Sequence, residues 1–216
     1  MRSTSAILRA MRSLPRAAML STLALTAAAA AAADPNADCA AAQLRSIERL
    51  MCRSPMLTRL DAELSRVYAL ATGPRAGAPA AAIRNGQPAW LAQRAACVKS
   101  RTQEECVRDL YLARIAAIRT QSRQARAADK NGISLGPFAF RCDGIEAVLD
   151  ITYVSTAPGL AWVTIKEQTY PLVQQRSGSG ARYEGNGTLF WEHQGEARWR
   201  GTTNTAEVTC TRAPSG

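Results

Sequence analysis

The apolar positions of this chain keep two different periods, and the change falls near residue 120. Before it the spacing is helical. Leu44, Ile47 and Met51 share one face, and Leu57, Leu60, Leu64, Val67, Tyr68 and Ala71 recur at three- and four-residue steps. Ser54-Pro55 marks a helix start, since Ser caps the first turn and Pro fits inside it. Residues 73–86 hold three Gly and two Pro and are expected to form a loop. Trp90, Leu91, Arg94 and Cys97 begin another helix, and Val107, Leu110, Tyr111, Ile115 and Ile118 make the last. The pattern predicts a bundle of three or four helices over residues 34–120. Residues 121–136 are polar and aperiodic, contain Asn131-Gly132, and are expected to be a linker.

After Pro137 the period becomes two. Ile145, Ala147, Leu149, Ile151 and Tyr153 alternate with Glu146, Val148, Asp150 and Thr152. Similar alternation runs through Ala161–Ile165, Tyr170–Leu172, Leu189–His193, Ala197–Trp199 and Ala206–Cys210. Gly, Pro and Asn punctuate between these runs. Seven or eight short strands at such spacing predict a small antiparallel barrel or sandwich over residues 137–212. The fold class expected is therefore α+β, a small helical bundle followed by an antiparallel β-structure.

The first 33 residues stand apart from both patterns. Arg2, Arg9, Arg12 and Arg16 precede an Ala- and Leu-rich apolar stretch ending in Ala31-Ala32-Ala33. That is the layout of a secretory signal peptide, and cleavage near Ala33 is expected. Asn36-Ala37-Asp38 before Cys39 lacks the aliphatic and small residues that precede a lipidated Cys, so no lipoprotein anchor is expected. Export bears on the six cysteines, because an oxidising compartment favours disulfides. With one His and no C-x₂-C pair, no metal site is expected. Cys142 on the first strand and Cys210 on the last are positioned to tie the two ends of the sheet together. If the helices form two antiparallel arms around the 73–86 loop, nested bridges follow, Cys52–Cys97 and Cys39–Cys106. The other two pairings of these four remain open.

Charge separates the two parts. Residues 34–136 carry sixteen basic and nine acidic side chains, and residues 137–216 carry seven and eight. A basic balance suits an anionic partner, and export argues against nucleic acid. The excess is read first as a solvated, Arg-rich helical surface, with anionic envelope polymers as the partner it would suit.

Candidate chemistry is sparse. The single His, His193, would have to serve any Ser-His hydrolase, yet Ser179 is not in a G-x-S-x-G elbow between strand and helix. Glu184, Glu192, Glu196 and Glu207 are scattered over strands and turns, without the pairing that glycoside chemistry needs. No enzyme and no cofactor are expected. Ser177-Gly178-Ser179-Gly180 is instead a turn between strands. Its neighbours Ala181-Arg182-Tyr183 and Phe190-Trp191 add an Arg and aromatics, the residue types that dominate protein interfaces.

Phe140-x-Cys142, the strand from Val148 to Tyr153, Ser179-Gly180-Ala181-Arg182-Tyr183, Phe190-Trp191, Glu196-Ala197 and Cys210 together resemble the inhibitors of c-type lysozyme. Both the membrane-bound and the periplasmic branches of that family are similar. The resemblance implies an eight-stranded barrel, a periplasmic location, and c-type lysozyme as partner. It implies that Ser179, Gly180, Arg182 and Tyr183 form a loop plugging the enzyme's cleft, with Ser179 hydrogen-bonded to a catalytic carboxyl group. Trp191 and Glu196 are then structural. The family's second contact is a Lys in a Trp-x-Lys-Gly turn. Here alignment puts His193 at that position, or Gln194 after a one-residue shift, so the fixed cation is missing.

A second resemblance covers residues 39–119. Ile47-Glu48-Arg49-Leu50-Met51-Cys52, Leu60-Asp61-x-Glu63-Leu64, Gln87-x-x-Trp90-Leu91-x-x-Arg94-x-x-Cys97, Cys106 and Arg114-Ile115 resemble the N-terminal-like domain of the lysozyme inhibitor lipoprotein LprI. Trp90 and Tyr68 are expected in the core, and Asp61 with Arg94 as an ion pair between helices. The competing functional class is a non-catalytic envelope module that binds peptidoglycan or lipopolysaccharide.

Overall fold

Ser54 and Pro55 start the main helix of the first part as their chemistry requires. The Ser54 hydroxyl accepts from the Leu57 N–H at 3.3 Å, and Pro55 occupies the first turn. The structure, a computed structural model, describes residues 39, 43, 45–127, 132–202 and 206–214. The leader expected over residues 1–33 lies outside these residues. Six α-helices are described: α1 (Ser46–Arg53), α2 (Pro55–Thr72), α3 (Ala80–Asn85), α4 (Gln87–Ala96), α5 (Gln103–Gln121) and α6 (Arg123–Arg126), with a 3₁₀ turn at Cys97–Lys99. Among the described residues no helix is long and apolar enough to cross a membrane.

The two long helices lie side by side and run the same way. Ser54 Oγ donates to Glu104 at 2.6 Å, and Tyr111 Oη donates to Asp61 at 2.6 Å, one register of fifty residues in both cases. Leu57, Leu60, Leu64 and Val67 on α2 meet Val107, Tyr111, Ile115 and Ile118 on α5 in a dry core. Trp90 packs edge-on against Tyr111 with centroids 5.1 Å apart, and its indole donates to the Leu110 carbonyl. Arg94 reaches Asp61 at 3.7 Å and donates to the Tyr111 hydroxyl, so the expected ion pair is present with a tyrosine set between its members. Burial first, and then the Asp61 charge, push the Tyr111 hydroxyl above the ordinary tyrosine range.

This parallel arrangement corrects the expected disulfides. The bridges are Cys39–Cys52 and Cys97–Cys106, not Cys52–Cys97 and Cys39–Cys106. Nested pairing required antiparallel arms, and α2 and α5 are not antiparallel. Each bridge is instead local, closing 13 and 9 residues of sequence. The 73–86 loop is also corrected in part. Ala80-Ala81-Ala82-Ile83-Arg84 is a strong enough helix former to make α3 between Pro79 and Gly86.

The second part is a closed barrel of eight antiparallel strands: β1 (Ser134–Cys142), β2 (Ile145–Val154), β3 (Leu160–Ile165), β4 (Gln168–Gln175), β5 (Ala181–Gly185), β6 (Thr188–His193), β7 (Glu196–Arg200) and β8 (Val208–Arg212). Each pairs with the next, and β8 returns to β1 with Cys142 opposite Cys210. These two cysteines are bonded, so the staple lies across the closing seam. Phe140, Ile151, Leu172, Phe190 and Trp199 fill the interior.

Of residues 121–136, expected as a linker, the described ones, 121–127 and 132–136, are largely structured. Ser122 caps α6 by accepting from Ala125 N at 3.2 Å, and β1 already begins at Ser134. A buried polar joint fastens the two parts. Arg119, 1 % exposed, donates to the carbonyls of Gly136 and Ala125 and to the Ser134 hydroxyl. The Ser134 hydroxyl in turn donates to Glu63, which also accepts from Ser134 N, Ile133 N and Arg66. Around this joint Val154 and Leu160 of the barrel belong to the helical core.

Candidate functional site

The β4–β5 connection, residues 176–180, is built from residues that favour a tight, exposed turn, and all five are exposed. Three features hold its shape. Ser177 Oγ donates to the Gly180 carbonyl at 2.9 Å. Gly180 has φ +67°, a conformation glycine adopts without cost. A Cβ there would also collide with the Glu192 carbonyl oxygen and meet His193 Cβ at 3.0 Å. The third is Trp191 on β6, whose indole N–H donates to the Ser179 carbonyl at 3.0 Å. With its own carbonyl occupied, Ser179 presents its hydroxyl from a braced crest.

Strand alternation then divides the candidate residues between two faces. Arg182, Trp191 and Arg198 form one cross-strand row over β5, β6 and β7 on the outer face. Arg182 is tied to Glu184 by a hydrogen bond of 2.7 Å and an ion pair. His193 stacks on Trp191 with centroids 6.4 Å apart and stands opposite Glu196 across the β6–β7 pair. Gln194 and Gly195 make the β6–β7 turn, both exposed and both at positive φ. The outer face thus brings together Ser179, Gly180, Arg182, Trp191, His193, Gln194 and Glu196.

Tyr183 does not join them. It faces the interior, 8 % exposed, with its ring 5.5 Å from Tyr153. It supports the loop from beneath and is not part of the exposed surface. Tyr153 in turn donates to Glu192 at 2.6 Å. Burial and then the Glu192 carboxylate push both tyrosine hydroxyls above their ordinary range, so each stays neutral. This inner bond fixes the β6 end that carries Trp191 and His193.

Sequence reasoning missed two features. One is the Trp191 clasp, since nothing in the pattern tells which backbone carbonyl an indole will find. The other is Arg198. It is exposed and has no carboxylate partner among the described residues, whereas Arg182 is paired with Glu184 and Arg200 lies 3.8 Å from Glu207. Alternation on β7 together with the Trp191 register was the available signal. Among the described residues no three His, Cys, Asp or Glu side chains gather as a metal site.

Residues 140–207 match the family model described as membrane-bound lysozyme-inhibitor of c-type lysozyme. Lipoprotein LprI of Mycobacterium tuberculosis and that of Mycobacterium bovis are each 30 % identical over 153 residues, spanning 70 % of this chain and 73 % of the relative. Among solved structures, the crystal structure of Pseudomonas aeruginosa MliC in complex with hen egg white lysozyme aligns with 22 % identity and a TM-score of 0.31. That alignment covers 37 % of this chain and 80 % of the other. The chain belongs to the LprI family, and its barrel carries the sequence signature of the c-type lysozyme inhibitors.

Proposed function

We propose that this protein is an exported, periplasmic, non-catalytic inhibitor of c-type lysozyme whose β4–β5 loop enters the enzyme's cleft. The observation that carries this reading is the braced exposure of Ser179. Its carbonyl is held by Trp191 and its turn by Gly180, while the side chain stands on the exposed crest. Such a loop loses little freedom on docking, and preorganisation is what lets a small surface bind tightly. The cleft of a c-type lysozyme contains an acid and a nucleophilic carboxyl group flanking the scissile bond. A serine hydroxyl can donate to one of these, and no cofactor is needed. Arg182, His193 and Gln194 flank the tip and form the rim of the contact. The family of the matching model supports the partner, because its description names c-type lysozyme.

The test is lysis of cell walls by hen-type lysozyme, titrated with residues 34–216. Inhibition is expected, and Ser179→Ala should weaken it by about 1–3 kcal/mol, roughly five- to 150-fold, if its partner is left buried and unpaired. Wild-type protein that leaves lysis unaffected sinks the proposal. Unchanged inhibition by the variant removes Ser179 from the mechanism.

A further inference from the structure

Among the described residues of the helical part, the acidic side chains lie in α1 and in the first halves of α2 and α5. Between Glu63 and Glu104 the sequence has no Asp or Glu but carries Arg66, Arg75, Arg84, Arg94, Lys99 and Arg101. Between Asp109 and Asp129 it again has none, and carries Arg114, Arg119, Arg123 and Arg126. Because α2 and α5 run parallel, their acid-free second halves lie at the same end of the bundle, while Lys99 and Arg101, just before α5, lie at the other. There Gln124 of α6 donates to the Arg75 carbonyl at 2.9 Å, joining the 73–79 loop to α6. Arg84 of α3 donates to the Thr72 carbonyl at the end of α2. Arg126 donates to the carbonyls of Arg119 and Thr120 at the end of α5. Arg75, Arg84, Arg123 and Arg126 are all exposed. Asp129 lies outside the described residues.

Two of these arginines have a structural use, as caps of helix C-termini. Arg75 and Arg123 have none: their side chains make no hydrogen bond or ion pair among the described residues. A second observation lies beside them. Leu70, in the last turn of α2, is one of two large apolar side chains exposed among the described residues, at 36 %. The adjoining loop is Gly73-Pro74-Arg75-Ala76-Gly77-Ala78-Pro79, without a polar side chain other than Arg75. The four arginines come from three separate elements and are spread over an end of the bundle, so they match a two-dimensional array of charge better than a single strand in a groove. All four are arginine, whose planar fork suits phosphate oxygens.

We propose that this end of the helical part docks on an anionic phospholipid surface, with the arginines on headgroup phosphates and Leu70 at the interface. Docking there would hold an exported inhibitor close to the envelope it guards. The attachment is electrostatic, so it weakens with salt.

The experiment is co-sedimentation of residues 34–216 with vesicles of phosphatidylglycerol and phosphatidylcholine in equal parts, at low and at high salt. Pure phosphatidylcholine vesicles and soluble polyphosphate are the comparisons. Binding to the anionic vesicles is expected, and Arg75→Gln with Arg123→Gln should lower the partition coefficient roughly thirtyfold. Arg53→Gln with Arg101→Gln removes the same charge from the opposite end and should change it little. Unfolding midpoints confirm that both double variants remain folded. The proposal is overturned by an absence of binding to anionic vesicles at low salt, or by equal losses in the two double variants. It is also overturned by polyphosphate binding as tight as vesicle binding, which assigns the surface to a phosphate polymer.

Discussion

Replacing Glu63 with alanine should cost this protein about 3–5 kcal/mol of stability, the range for breaking a buried ion pair. The Glu63 side chain is 2 % exposed. It accepts from Arg66 Nε at 2.8 Å and Nη2 at 2.7 Å, from Ser134 N at 3.1 Å, from Ile133 N at 3.2 Å, and from the Ser134 hydroxyl. Truncation leaves two backbone N–H groups and a hydroxyl without this acceptor, each costing about 1–3 kcal/mol if nothing replaces it, and Arg66 loses its carboxylate. Relaxation and water entry keep the total below the sum. Domains of this kind have only about 5–15 kcal/mol in all, so the loss is large. Urea unfolding of residues 34–216, followed by tryptophan fluorescence, measures it. The pH dependence carries a sign. Burial pushes the Glu63 carboxyl up, but Arg66, Ser134 and Ile133 pull it down further, and it titrates below its ordinary value. A carboxyl with a lowered folded pKa adds stability above its unfolded value, about 4.5, and that stability is lost as pH falls through the folded one. Glu63→Gln should therefore destabilise at neutral pH and flatten the acid limb of the stability profile below about pH 4.5. A loss under about 1 kcal/mol for Glu63→Ala, or an unaltered acid limb for Glu63→Gln, would refute the view that this joint fastens the barrel to the helices.

Two further outcomes follow from the outer face of the barrel. Trp191→Phe keeps a ring but removes the indole donor to Ser179, so inhibition should weaken about two- to tenfold while the unfolding midpoint stays near wild type; equal inhibition shows that the clasp does not order the tip. Arg198→Gln removes the cation without a carboxylate partner beside Trp191, and should slow association with lysozyme and reduce its salt dependence more than it changes dissociation; an unchanged association rate places Arg198 outside the contact.

The architecture was legible because each part keeps one period for long enough to be counted. The alternation from Ile145 to Tyr153 and its successors leads to the barrel, and Cys142 and Cys210 mark its seam. What escaped was how helices pair. Spacing on α2 and α5 defines an apolar face on each but carries no direction, and the inference of antiparallel arms came from reading residues 73–86 as a single loop. The alanines at 80–82 turn the chain through α3 and α4 instead, and α5 returns alongside α2 in the same sense. The cysteine pairing inherited that error, since four cysteines can be assigned only once the helices are oriented. Residues 121–136 escaped for another reason. Their polarity resembles that of a linker, but Ser122 is a helix cap and Ser134 is a buried partner of Glu63.

At the site, sequence located the loop and the strands but could not tell which residues share a face with it. Arg182 and Tyr183 are neighbours in the motif, yet one lies on the outer face and the other inside, where Tyr183 and Tyr153 line the interior beneath β6. A motif names residues that occur together; a strand sends alternate members to opposite faces. The motif Ser179 to Tyr183 is therefore divided between two faces, an exposed tip and a foot in the core, and mutating each should have a different signature. Ser179 should change binding and not stability. Tyr183 should change stability first, and binding only as the tip loses its footing.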